Sequence, residues 1–179
     1  LFYRTHWKTF EEEILDNKYD VRIPLTSKFN VYNYLTMLSI LNQYGVPVED
    51  IISHTSTLKA PKGRCETYEV NGGFAIVDYA HTPDAVEKVI STYNDLKQNR
   101  VITIFGCGGN RSRDRRFEMG EIAGKYSDYC IITEDNNRYE EFEDIAKDIL
   151  VGMSKTDCEY KIVPDRKDAI KYAIENAHS

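Results

Sequence analysis

Short apolar runs and helical stripes take turns along this chain, and past residue 64 the alternation becomes regular. Phe74-Ala75-Ile76-Val77, Val101-Ile102-Thr103-Ile104-Phe105, Tyr129-Cys130-Ile131-Ile132-Thr133 and Tyr160-Lys161-Ile162-Val163 have the length and residue types of strands. Between and after them the pattern predicts helices over 84–97, 117–126, 143–153 and 165–177, the last capped by Asp165. Cys65 to Val70 reads as one more strand, joined to Phe74–Val77 through the hairpin turn Asn71-Gly72-Gly73. Strand and helix alternating at this spacing predict βαβ units with parallel strands and right-handed crossovers.

The first third is patterned differently. Residues 1–29 read as strand-rich and partly exposed, with Tyr19 to Leu25 alternating polar and apolar. A helix is expected near Asn30, where Val31, Tyr34, Leu35, Leu38 and Leu41 share a face and Gly45 closes the run. Pro47 opens a shorter helix to about Ser53. Thr57 to Gly63 has no periodicity and contains Pro and Gly, so it reads as a linker between two structural units.

Composition narrows the class. At 41% hydrophobic the 179 residues suffice for a core, and a net charge of −6 argues against a nucleic-acid surface or an anionic membrane as partner. Four scattered cysteines without a C-x-x-C pair read as reduced thiols of a cytoplasmic protein, not as a zinc site or disulfide framework. No apolar run approaches the roughly 20 residues that span a bilayer. The chain opens on Leu1-Phe2-Tyr3-Arg4, without methionine, and stops at Ser179 directly after a predicted helix. It is therefore expected to be a piece of a longer one.

The polar residues that could carry chemistry stand after strands, where open parallel sheets bind ligands. Asp78-Tyr79-Ala80-His81-Thr82-Pro83-Asp84-Ala85 leads into a helix whose first turn accommodates proline, and helix N-termini favour phosphate. Gly106-Cys107-Gly108-Gly109-Asn110-Arg111 allows close backbone approach. Arg111, Arg113, Arg115 and Arg116 then place four guanidinium groups within six residues, which favours an anion site over a solvated helix start. The lysine and Ser/Thr of the Walker phosphate loop are absent, and Arg111 stands where a dinucleotide fingerprint needs its third glycine. Asp135-Asn136-Asn137-Arg138, by residue type alone, reads as an Asx-rich turn. The acidic run Glu140-Glu141-Phe142-Glu143-Asp144 reads as favourable charge at a helix N-terminus.

In order, these motifs, with Phe29-Asn30-Val31-Tyr32-Asn33, Gly63-Arg64, Arg116-x-x-Met119-Gly120 and Asp165-Arg166, resemble the Mur ligases. The likeness is greatest to the branch that adds the third residue of the peptidoglycan stem, and it runs from about residue 25 onward. It implies an α/β fold: a Rossmann-like C-terminal domain with a mostly parallel sheet over 60–179, lacking its last strand and helix, preceded by the end of the central ATPase domain over 1–59. The implied reaction is ATP-dependent amide formation. The D-glutamate carboxylate of UDP-MurNAc-L-Ala-D-Glu is phosphorylated and a diamino acid attacks the acyl phosphate, with Mg2+ offsetting phosphate charge.

Carried over by position, Asn30 and Asn33 stand where the family contacts adenine. Arg64 and Asp78 stand where it contacts ribose and phosphate, with His81 on the same loop; Arg111, Asn136 and Arg138 stand where it holds the incoming amino acid. A guanidinium fork suits the distal carboxylate of meso-diaminopimelate, which lysine lacks. The family's Asp-Asn-Pro-Arg is Asp-Asn-Asn-Arg here, without the restraint of proline. The phosphate loop, magnesium-binding glutamate and carbamylated lysine belong upstream of residue 1, and a Gly-Lys-Gly-His-Glu motif beyond Ser179. No metal ligand is therefore assigned, and the chain alone is expected to be inactive. The rival readings are another ligase of this fold, of the folylpolyglutamate or cyanophycin synthetase type, and a non-catalytic anion-binding α/β module.

Overall fold

A computed structural model describes residues 9–14 and 17–177, and it resolves into two compact units that divide between Glu66 and Thr67. In the first unit, strands β1 (Thr9–Ile14) and β2 (Asn17–Arg22) form an antiparallel hairpin. The expected strand-rich start is seen there; the part on residues 1–8 and 15–16 lies outside the described residues. Helix α1 (Lys28–Gln43) begins two residues before Asn30, after Ser27 at a φ of 82°. Gly45, at φ 88°, lets the chain turn into α2 (Val48–His54), behind Pro47.

The core of this unit joins Val21 and Ile23 to Tyr34 and Leu38 of α1 and Ile51 of α2. The buried Tyr34 hydroxyl is satisfied by Thr55 Oγ1 at 2.7 Å. Val31 and Leu35 pack against the same cluster as expected. Leu41 does not. It is 36% exposed, because periodicity carries the stripe two turns past Tyr34 while the core reaches only to Leu38.

The second unit opens with β3 (Glu66–Val70) and β4 (Gly73–Val77), joined by two residues that both have positive φ, Asn71 at 48° and Gly72 at 79°. That is the mirror-image turn whose twist matches a hairpin. This pair is a sheet of its own. Phe74 to Val77 forms the expected strand, yet its apolar residues are only partly covered and Val77 is 48% exposed. A run of four apolar residues looks the same whether one face or both are covered.

Helix α3 (Pro83–Leu96) follows, with Thr82 Oγ1 accepting from the Ala85 N–H and Pro83 at the first helical position. The parallel sheet is then built from β5 (Ile102–Phe105), β6 (Tyr129–Ile132) and β7 (Glu159–Ile162), in that order, with α4 (Arg113–Tyr126) and α5 (Phe142–Met153) as crossovers. Helix α6 (Arg166–Asn176) closes the described chain, its first turn capped by Asp165, whose carboxylate accepts from the Asp168 N–H.

Side-chain alternation gives β5 and β6 two covered faces, while β7 at the edge is exposed along its length. Phe105, Cys130 and Ile132 point into a core with Val86 and Ile90 of α3, Met119 and Ala123 of α4, and Ile145 and Ile149 of α5. Ile102, Ile104, Tyr129 and Ile131 meet Ala169, Tyr172 and Ala173 of α6 on the other side. Helices α4 and α5 lie unusually close: a Cβ on Gly120 would stand 2.1 Å from the Ile149 carbonyl oxygen. The carboxyl ends of β5 and β6 thus emerge side by side from one rigid layer.

Candidate substrate-binding site

The loops leaving β5 and β6 interlock. A Cβ on Gly106 would lie 2.1 Å from the Thr133 carbonyl oxygen, and one on Gly109 would lie 1.8 Å from that of Asn137. What the glycines admit is therefore the neighbouring loop's backbone. The Gly109 N–H donates to the Asn136 carbonyl at 2.8 Å, and Arg138 returns a bond from Nη1 to the Gly109 carbonyl. Asn110 and Arg138 sit in the left-handed region at φ 52° and 54°, a cost that only a well-determined surrounding sustains. Arg111, Asn136 and Arg138, expected to hold an amino acid, are exposed at this joined pair of loops.

Beneath the loops lies a network of residues that sequence reasoning did not join to one another. Arg116 is 2% exposed; its guanidinium donates to Glu140 at 2.7 and 2.8 Å and to Asp148 at 3.0 Å. Arg113 reaches the same Asp148 at 2.6 Å, and Glu140 also accepts from the Asn110 N–H. The Arg116 fork and that backbone N–H hold the Glu140 carboxyl at about 2, far below its usual range. Arg113 and then Arg116 lower Asp148, against the opposing effect of burial. Two of the four arginines expected to form an anion site are therefore paired within the chain. The signal was available: Arg116 stands three residues before Met119, on the buried stripe of α4. Glu140 carried no such mark beyond its acidic neighbours.

Of the residues expected to contact nucleotide, Asn30 and Asn33 stand one turn apart on α1. Asn33 Nδ2 donates to Asn30 Oδ1 at 3.2 Å, and Asn30 Nδ2 to the Thr26 carbonyl at 2.6 Å. Arg64 is exposed and closes a turn on the Pro61 carbonyl through its N–H at 3.0 Å. In the second unit, Asp78 accepts from the Ala80 N–H at 2.8 Å, an Asx-turn that shapes the entry to α3. The exposed His81 ring meets Tyr79 edge-on at 5.2 Å and lies 3.1 Å, at Nδ1, from the Tyr79 carbonyl. Among the described residues no group of three His, Cys, Asp or Glu side chains could hold a metal ion. Nor is any described helix long and apolar enough to cross a membrane.

The family profile described as Mur ligase, glutamate ligase domain, matches residues 63–179. A UDP-N-acetylmuramoyl-L-alanyl-D-glutamate–2,6-diaminopimelate ligase of Caldanaerobacter subterraneus is 38% identical over 172 residues, 94% of this chain and 35% of that protein. The ligase of the same name from Clostridioides difficile is 42% identical over 176 residues, 98% and 35% of the two chains. The chain spans about a third of the length of these relatives. Among solved structures, a ligase of that name has a TM-score of 0.67 at 32% identity, covering 95% of this chain and 35% of that one. A folylpolyglutamate synthase of Thermotoga maritima reaches 0.70 at 19% identity over 91% of this chain and 38% of its own, which shows the fold alone.

Proposed function

The chain belongs to the Mur ligase family, through its glutamate ligase domain, and on that footing we propose that it is the amino-acid-recognising part of a cytoplasmic ATP-dependent ligase of peptidoglycan synthesis. Residues 60–179 are the C-terminal domain in this reading, and 1–59 the end of the central one. The substrates are UDP-MurNAc-L-Ala-D-Glu and a diamino acid, with meso-diaminopimelate favoured. The observation that carries this is the interlocked pair of loops, which brings exposed Arg111, Asn136 and Arg138 to one end of the parallel sheet. Relatives near 40% identity over nearly the whole chain, named for diaminopimelate, support the choice of amino acid.

The chemistry assigns these residues a binding task. ATP, when bound, supplies a phosphoryl group that turns the D-glutamate carboxylate into an acyl phosphate; the amine then forms the amide bond and phosphate leaves. Arg138 and Arg111 suit the carboxylates of the amino acid by charge-assisted, bidentate contact, and Asn136 offers an amide donor and acceptor. Held there, the amino acid is bound with its attacking amine within reach of the acyl phosphate. Asn30, Asn33, Arg64, Asp78 and His81 are the residues we assign to the nucleotide. Asparagine amides match the donor and acceptor edge of adenine, and His81 with the N-terminus of α3 suits phosphate.

The test is amino-acid-dependent phosphate release by the full-length protein given ATP, Mg2+ and UDP-MurNAc-L-Ala-D-Glu. Release with meso-diaminopimelate but not lysine, lost on Arg138→Ala, is the expected result. Release with lysine alone would remove the substrate assignment and leave the ligase. Turnover only with a folate and glutamate would replace the reading by that of a sister ligase.

A further inference from the structure

We propose that Glu140 is a positioning residue for the incoming amino acid, its carboxylate tying the loop after β5 to the loop after β6 and so setting where Arg111 and Arg138 stand. The inference rests on the function proposed above. One end of the tie is rigid: both Glu140 oxygens are taken by Arg116 at 2.7 and 2.8 Å, and Arg116 is buried and further held by Asp148. The other end is the Asn110 N–H, in the residue just before Arg111. Glu140 also closes the turn that carries Arg138, since its own N–H donates to the Asn137 carbonyl at 3.0 Å. One residue thus governs the backbone beside both exposed guanidinium groups, at the two positions, Asn110 and Arg138, that hold unfavourable positive φ.

Charge points the same way. Arg113 and Arg116 face Asp148 and Glu140, two positive against two negative, so the paired set, of which only Arg116 and Asp148 are buried, is balanced within itself. Arg111 and Arg138 are left as the exposed guanidinium groups of the two loops. Replacing Glu140 by glutamine unbalances Arg116 and loosens the tie; aspartate keeps the charge and shortens the reach. Loss of a merely structural ion pair would lower stability and impair every kinetic constant together. A positioning residue splits them.

The experiment compares full-length wild type, Glu140→Gln and Glu140→Asp with the distant surface pair variant Lys155→Ala, whose Nζ lies 2.6 Å from Glu121. For Glu140→Gln the KM for the amino acid is expected to rise on the order of ten- to a hundredfold, with kcat and the KM values for ATP and the UDP-dipeptide within about twofold. Glu140→Asp recovers part of the loss, and Lys155→Ala matches wild type. Equal changes in every constant, or none, would overturn the proposal. Amide exchange is read in parallel: Glu140→Gln should expose the Asn110 and Gly109 amides while Ile131 stays protected. Unchanged protection at Asn110 overturns the tie even if the protein uses another amino acid, in which case only the substrate assignment above falls.

Discussion

Gly109 leaves no space for a side chain, because a Cβ there would lie 1.8 Å from the Asn137 oxygen and 2.6 Å from its carbonyl carbon. Backbone cannot yield as a flexible side chain does, so Gly109→Ala must part the two loops. The expected loss is about 1–3 kcal/mol in urea unfolding, the usual range for overpacking. Gly73→Ala is the matched control, since its Cβ would meet only the Val70 oxygen at 3.6 Å, and a change within about 0.5 kcal/mol is expected. Asn137 tests the opposite sign. Its Oδ1 is buried without a partner, and Asn137→Ala should stabilise the chain by about 1 kcal/mol, the scale of an unsatisfied buried acceptor. A destabilised Asn137→Ala would show that the amide is satisfied after all. Sequence reading saw that three glycines permit close approach; it could not say that a second loop, rather than a ligand, does the approaching.

At the level of elements, α4 shows why some of this site was hard to read. Its expected start at Phe117 lies four residues inside the observed one at Arg113, because periodicity registers apolar residues and the first turn is Arg113-Asp114-Arg115-Arg116. A buried cation reads as an exposed one until its partners are known, and those partners, Glu140 and Asp148, lie more than twenty residues away. By contrast, α3, α5, α6 and the three parallel strands fall within one residue of their expected bounds, since caps, turns and apolar residue types mark their ends even where, as in β7, the side chains are exposed. The network makes a pH prediction. Glu140 is depressed to about 2 in the folded chain, against about 4.3 for a free side chain. A depressed carboxyl stabilises fully above its unfolded value and loses that contribution as pH falls through the folded one. Wild type should therefore exceed Glu140→Gln in thermal midpoint at pH 6, with the gap closing between about pH 4.3 and 2. A gap that persists unchanged at pH 2 would mean that the carboxylate charge is not what matters.

Across the whole molecule, four thiols sample different depths, and only their scatter was legible beforehand. Cys65, Cys107 and Cys130 are buried, whereas Cys158 is partly exposed, its Sγ 3.8 Å from that of Cys130. The hydrogen bond between that pair lowers the Cys158 thiol and, with burial, raises Cys130. Burial pushes Cys107 up to about 12, only partly opposed by Arg116. Thiolate and access together set reactivity, so iodoacetamide at pH 8 should label Cys158 first in the native chain, and the others only as the structure opens. Cys107 is the informative one. It sits between Gly106 and Gly108 with its Sγ against Met119, directly under the interlocked loops, so its labelling reports how often they part. A ligand that binds only the closed loops lowers the open population by its occupancy ratio, about a hundredfold at a concentration of one hundred times Kd. Peptide mapping of the alkylated full-length protein should therefore show meso-diaminopimelate slowing Cys107 while Cys158, beyond the other end of the sheet's strands, reacts as before. If Cys107 labelling ignores the amino acid while turnover still depends on it, the acceptor does not rest on these two loops.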